Sequence, residues 1–194
     1  MRAHWILFLS AVLLSAAALS TVAGETTLKA GVFEPPRMAP DFALRGSDGN
    51  ELKLSRYRGK VVLLGFGFTS CATVCPFTLV TLAQAHRKLA AQAADLQVIY
   101  ITVDPERDDP ARLRQYLSSF NPQFVGGTGD AGQLAAVRKA YGVFAEKKAG
   151  PDGDFSHSSF IYLIDRGGRL RALMPYGREA DDYVHDVRQL LAEP

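Results

Sequence analysis

Cys71 and Cys75 are the only two cysteines of the 194-residue chain, and they stand four residues apart in Thr69-Ser70-Cys71-Ala72-Thr73-Val74-Cys75-Pro76. They fall between a strand pattern and a helical pattern, the junction at which an open sheet presents its strand ends to ligands. Unpaired amides and the positive end of the helix macrodipole favour thiolate there, which predicts a lowered thiol pKa. Four-residue spacing puts both sulfurs on one side of the first turn, close enough to share a metal ion or to join in a disulfide. Three chemistries fit that placement: a structural disulfide, a redox pair, or a soft metal site. A disulfide ring of about five residues stabilises a fold by only about 2 kcal/mol, less than the ~3 kcal/mol of a fifteen-residue loop.

Two thiolates select Cu(I) or zinc over hard cations. A structural zinc site wants four protein ligands, and the chain has no further cysteine. Its methionines, Met1, Met38 and Met174, are scattered, so a third ligand has to be a histidine. His4 lies in the leader over residues 1–23, and His86 and His185 read as ordinary helix residues. His157 differs, because it stands in the polar segment Gly150-Pro151-Asp152-Gly153-Asp154-Phe155-Ser156-His157-Ser158, directly before a strand. In an open sheet that loop is able to approach the cysteine loop. Two sulfurs and one imidazole suit copper, with Cu(I) three-coordinate and Cu(II) adding an oxygen ligand. Asp104, at the end of a strand, is a candidate for that weak oxygen or for an outer acceptor, although a turn acid is the simpler reading.

The elements that must position these residues follow from hydrophobic periodicity. Val61 to Phe68 is a near-continuous apolar run, as expected of a strand covered on both faces, and Leu96 to Val103 is a second. Between them, Leu79, Leu82, Ala83, His86, Leu89 and Ala90 recur at helical spacing, predicting a helix from about Val74 to Ala94. Asp109-Pro110 marks the start of a helix running to about Phe120. A short strand at Phe124 and Val125, a turn over Gly126 to Asp130, and a helix from Ala131 to Tyr141 follow. A strand from Phe160 to Ile164, its antiparallel partner Leu170 to Met174, and a helix from Ala180 to Ala192 complete the series. Near the start, Phe42 to Leu54 reads as a hairpin around Gly46-Ser47-Asp48-Gly49-Asn50. This order predicts an α/β fold, a mixed sheet with helices on both faces plus an N-terminal hairpin.

Composition sets the outer limits. With 47% hydrophobic and 22% charged residues, one domain with a sizeable core is expected, and disorder and disulfide-dense scaffolds are excluded. A net charge of +2 gives no footing for nucleic-acid binding. Residues 1–23 carry Arg2 followed by an uncharged Leu- and Ala-rich run ending in Thr21-Val22-Ala23. This predicts a signal peptide cut after Ala23 or an uncleaved N-terminal membrane anchor, with the rest of the chain exported and touching a membrane only through that segment. Residues 24–40, with Pro35, Pro36 and Pro40, read as a tether, and residues 41–194 as the folded domain.

Over nearly all of Asp41 to Ala192 the chain resembles the Sco/SenC family of copper-binding, thioredoxin-like proteins. The matching stretches are Phe68-Thr69-Ser70-Cys71-Ala72-Thr73-Val74-Cys75-Pro76, then Thr102-Val103-Asp104-Pro105-Glu106-Arg107-Asp108-Asp109-Pro110, then Gly126-Gly127-Thr128-Gly129 leading to Lys139-Ala140-Tyr141-Gly142-Val143, and Asp154-Phe155-Ser156-His157-Ser158. The resemblance implies a thioredoxin-like fold and copper ligation by Cys71, Cys75 and His157. It implies a role in assembling the dinuclear copper centre of cytochrome c oxidase, as copper donor, as reductant of target cysteines, or as both. The partner would then be the oxidase subunit carrying that centre or another periplasmic copper or thiol protein. The family usually reads Thr-His-Cys-Pro-Asp-Val-Cys-Pro, and here Ser70, Ala72 and Thr73 replace its His, Pro and Asp. These three are not ligands, but outer partners tune a site. The rival reading is a metal-independent thiol-disulfide oxidoreductase, against which stand the three-residue gap between the cysteines and the lack of a preceding Trp. A peroxidase of the peroxiredoxin type lacks its Thr three residues before either cysteine. A passive exported interaction domain would use the pair as a simple staple.

Overall fold

A computed structural model describes residues 27–149 and 155–193; the expected leader at 1–23 lies outside the described residues. Two parallel strands form the centre, β4 (Val61–Gly67) and β5 (Leu96–Thr102), paired from Val61 opposite Leu96 to Gly67 opposite Thr102. Every residue of β4 is buried, which is why its sequence is an unbroken apolar run rather than an alternating one. β6 (Val125–Thr128) continues the parallel set beyond β5. The hairpin β2 (Ala43–Gly46) and β3 (Glu51–Lys53) docks antiparallel beside β6. On the other side of β4, β9 (Ile161–Ile164), β10 (Arg169–Met174) and β1 (Gly31–Met38) pair antiparallel in turn. The eight-stranded order is β1-β10-β9-β4-β5-β6-β2-β3, and β7 (Ala145–Lys147) and β8 (Phe155–His157) make a separate ribbon.

The helices cover both faces, as the sequence predicts. α1 (Val74–Leu89) connects β4 to β5, and α2 (Pro110–Ser118) lies on the same face, its Leu113 and Leu117 packed over Gly126. A Cβ on Gly126 would stand 2.9 Å from that of Leu113, so the bare backbone is what lets α2 come close. α3 (Ala131–Tyr141) covers the opposite face, where the ring of Tyr141 meets those of Phe66 and Tyr162. α4 (Ala180–Ala192) runs beside α1, linked to it by Lys88–Asp181. Asp109 caps α2 by accepting from the Arg112 amide at 2.7 Å, with Pro110 opening the helix as expected.

Four local expectations need correction. Residues 31–38 are not a free tether but the edge strand β1. The pairing register shifts between Val32 and Arg37, and Pro35 and Pro36 lie in that stretch, so two residues with no amide to donate sit where the ladder is interrupted. The first helix stops at Leu89 instead of Ala94, because Ala90 takes a positive φ of 52° and the chain goes on as a 3-10 turn to Asp95. The expected turn at Gly126 is strand up to Thr128, and the short ribbon of β7 and β8 was not legible in the polar segment before the strand.

β1 is tied to α4 through a buried carboxylate. Asp186, fully buried, accepts from the Lys29 amide at 2.8 Å, the Ala30 amide at 2.9 Å and His185 Nδ1 at 2.9 Å. Asp186→Ala leaves those donors without their acceptor and is expected to lower stability by about 1–3 kcal/mol. Asp181→Ala, at the exposed pair with Lys88, is expected to change it by less than about 0.5 kcal/mol. Urea unfolding of both variants checks the contrast.

Candidate metal centre

The cysteine loop leaves the C-terminal end of β4 at Phe68 and is pinned by one buried acid. Asp108 Oδ2 accepts from the Thr69 amide at 3.0 Å and from Thr102 Oγ1 at 2.7 Å, and its Oδ1 accepts from Thr69 Oγ1 at 2.5 Å. Arg112 Nε donates to the same Thr69 hydroxyl at 2.7 Å. This network fixes the loop to the end of β5. Asp108 and Thr69 were missed as site residues by sequence reasoning, although both lie in the stretches that carry the family resemblance. Asp104, the acid singled out instead, is buried and pairs with Arg107, whose guanidinium sits 5.8 Å from the centre of the Phe68 ring.

Cys71 precedes α1 and is half-buried, whereas Cys75 is the second residue of the helix and is buried. Both are free thiols. Thr73, at the N-cap position, makes no side-chain cap; the Cys71 sulfur takes that place, accepting from the Cys75 amide at 3.4 Å. Cys75 behaves in the opposite way to the sequence expectation. Burial pushes its thiol up to about 12, opposed in part by the nearby Tyr100 hydroxyl and the Phe68 backbone. At this position desolvation outweighs the helix dipole.

His157 ends β8, whose pairing with β7 sets Ala145 opposite His157. The ribbon brings the imidazole across 82 residues of sequence to Cys75, with 3.7 Å between His157 Nε2 and the sulfur. His157 Nδ1 lies 2.8 Å from the Ser158 carbonyl oxygen, which can only accept, so Nδ1 carries the proton and Nε2 keeps its lone pair toward the sulfur. Phe68 meets the imidazole edge to face, with ring centres 5.9 Å apart. Burial holds the His157 pKa below its ordinary value, against a smaller upward pull from the Ser158 carbonyl. A buried neutral imidazole with one nitrogen fixed by a carbonyl is the form that ligates metals.

The structure thus brings Cys75 and His157 into contact, with Cys71 one turn away and its sulfur turned back to the helix. Among the described residues no three His, Cys, Asp or Glu side chains are already gathered around one point. The Cys75–His157 pair nonetheless fits an ion: with bonds of about 2.3 Å to sulfur and about 2.0 Å to nitrogen, the 3.7 Å gap corresponds to an angle of about 120° at the metal. His86 and His185 take no part; the first packs its ring against Phe124 and the second bonds Asp186. His4 lies outside the described residues.

A dithiol at a strand-to-helix junction on a mixed sheet defines a thioredoxin-like α/β protein, and comparison with known proteins agrees. The SCO1/SenC family model matches residues 32–192. The mitochondrial SCO2 homologue of mouse is 38% identical over 160 residues, which cover 78% of this chain and 62% of that protein, so this chain spans less than two thirds of its length. Among solved structures, ScoI of Bradyrhizobium japonicum with copper bound is 35% identical with a TM-score of 0.73, covering 79% of this chain and 99% of that one. Apo Sco1 of Thermus thermophilus is 35% identical with a TM-score of 0.75, covering 87% and 99%. The chain belongs to the SCO1/SenC family.

The buried imidazole makes stability depend on pH. Since the folded pKa of His157 lies below its unfolded value near 6.5, the unfolded chain binds more protons in the window just below 6.5. Stability therefore falls as pH drops from about 6.5 toward the folded pKa, and is fully present above 6.5. His157→Gln removes this share of the slope. Urea midpoints followed from about pH 8 to about pH 5 are expected to decline less steeply in that variant than in the parent.

Proposed function

We propose that Cys71, Cys75 and His157 bind one copper ion as cargo and that the protein delivers it during assembly of the copper centre of cytochrome c oxidase. The observation that carries this reading is the contact between the Cys75 sulfur and the unprotonated nitrogen of His157, made between segments distant in sequence and next to a second sulfur. Turning the Cys71 side chain from the helix end toward the imidazole completes a grip of two sulfurs and one nitrogen. That donor set is soft and three-coordinate, which suits Cu(I) and leaves an open position for Cu(II).

Burial of Cys75 supports cargo binding over free thiol catalysis. A thiol pushed up to about 12 supplies little thiolate at neutral pH, so it is a poor spontaneous nucleophile. A metal ion instead replaces its proton directly, and binding releases that proton. Oxidation of the pair would remove two of the three donors, so occupancy follows redox state. Transfer then proceeds by stepwise exchange, in which an incoming sulfur replaces one protein ligand at a time. The half-buried Cys71 is the accessible end of the grip, and Cys75 and His157 are its fixed base.

The wider setting follows the same reading. The receiving partner is the oxidase subunit that carries the dinuclear copper centre, or another periplasmic copper or thiol protein, and reduction of that partner's cysteines by the same pair is the companion activity. The apolar run at 1–23 acts as export signal or anchor, leaving the domain in the periplasm. Among the described residues no helix is long and apolar enough to cross a membrane.

A copper titration of the reduced protein, read by mass spectrometry, is expected to give one ion per chain. Cys71→Ser, Cys75→Ser and His157→Ala are each expected to lower affinity by more than tenfold. Unchanged stoichiometry and affinity in all three variants contradicts the assignment. Rapid turnover of an insulin-reduction assay without copper favours the oxidoreductase alternative.

A further inference from the structure

The Cys75 sulfur has a second polar neighbour. Tyr100, in the middle of β5, packs its ring over Gly65 and Gly67. A Cβ placed on Gly67 would stand 1.8 Å from the Tyr100 hydroxyl and 2.8 Å from the Cys75 sulfur. Hydroxyl and sulfur therefore border one small space, which exists because residue 67 has no side chain. The Tyr100 side chain is 2% exposed, and its hydroxyl, near enough to the Cys75 sulfur to favour its thiolate, makes no regular hydrogen bond among the described residues. A phenylalanine would fill the same volume without burying an unpaired polar group, so the oxygen calls for a reason.

Cys75 supplies one. In the neutral protein its thiol faces the lone pair of His157 Nε2, and a thiol sulfur is a weak acceptor that gives the phenol little to bond. A sulfur carrying negative charge is a strong acceptor. We propose that Tyr100 is a further member of the site, whose hydroxyl donates a hydrogen bond to the Cys75 sulfur whenever that sulfur is anionic, in thiol-disulfide exchange and when it is bound to a metal ion. Tyr100 and His157 would then hold the sulfur from two directions, one bonding its charge and the other sharing its cation. The role in the metal-bound state rests on the copper reading above; the role in exchange does not.

Tyr100→Phe removes one oxygen and keeps the ring. In the exchange arm, metal-free reduced protein is mixed with oxidised glutathione. The accessible Cys71 thiolate attacks one glutathione sulfur, forming a mixed disulfide and releasing one glutathione thiolate. Cys75, losing its proton, then attacks the Cys71 sulfur and breaks its bond to glutathione, closing the intramolecular disulfide and releasing the second glutathione as a thiolate that takes up a proton. Two protein thiols are oxidised and one glutathione disulfide is reduced. Tyr100→Phe is expected to leave the first step unchanged and to slow the second by about tenfold, the effect of one charge-assisted hydrogen bond, so that the mixed disulfide accumulates in the mass spectrum. In the copper arm, the sulfur-to-copper charge-transfer absorption is expected to move to lower energy in the variant, because a thiolate without a donor holds its electrons less tightly. An unchanged second step overturns the proposal, and does so whatever the melting temperature. A raised melting temperature with that result identifies the hydroxyl as a passive buried group. Failure of both parent and variant to bind copper counts against the cargo reading and leaves the exchange arm to decide the role of Tyr100.

Discussion

Because the Cys75 sulfur is held out of water against the free lone pair of His157, it gives up its proton readily only to something that puts positive charge in the proton's place. Desolvation and the helix dipole pull in opposite directions at this point, and burial wins, with the thiol pushed up to about 12. The neighbouring imidazole is kept neutral by the same burial and oriented by the Ser158 carbonyl. Two neutral groups in contact need no ion to be stable, and under the proposed copper reading they are already side by side when one arrives. In the same proposal the half-buried Cys71 is the adjustable arm.

Much of the surrounding architecture serves to keep that contact. The sulfur is buried because α1 starts on the face of β4 and β5 where Gly67 and Tyr100 leave room for it. The loop before the helix is fixed by Asp108, which gathers Thr69 and Thr102 from the ends of two neighbouring strands. On the other side, the imidazole is delivered by the ribbon of β7 and β8, with Phe68 wedged between the rings of His157 and Phe155. Each of these supports comes from a different part of the chain, so the site depends on the tertiary fold and not on the dithiol segment alone.

The parts of this picture that the sequence reveals are those with a local signature. The apolar runs at Val61 and Leu96, the Asp109-Pro110 helix start and the glycine-rich hairpin each carry their own periodicity or capping chemistry, and the mixed sheet with helices on both faces follows from their order. The edge strand at 31–38 was hidden by its prolines, which are unfavourable in a ladder and are accommodated where the pairing register shifts. The direction of the Cys75 shift was hidden because burial is a tertiary property, while the helix position that argues the other way is local. His157 was singled out by its place before a strand, but its approach to the sulfur depends on a three-residue strand whose alternation is too short to stand out in the sequence. Tyr100 gave no signal at all, since a tyrosine in a buried strand reads as core until its hydroxyl is found beside the Cys75 sulfur.

The most direct test of the central claim is X-ray absorption at the copper edge of the reduced, copper-loaded protein. Two sulfur scatterers at about 2.3 Å and one imidazole nitrogen at about 2.0 Å are expected per copper, with the nitrogen lost in His157→Ala and one sulfur lost in Cys71→Ser. A copper environment of sulfur alone, or one unchanged by removing the imidazole, would contradict it.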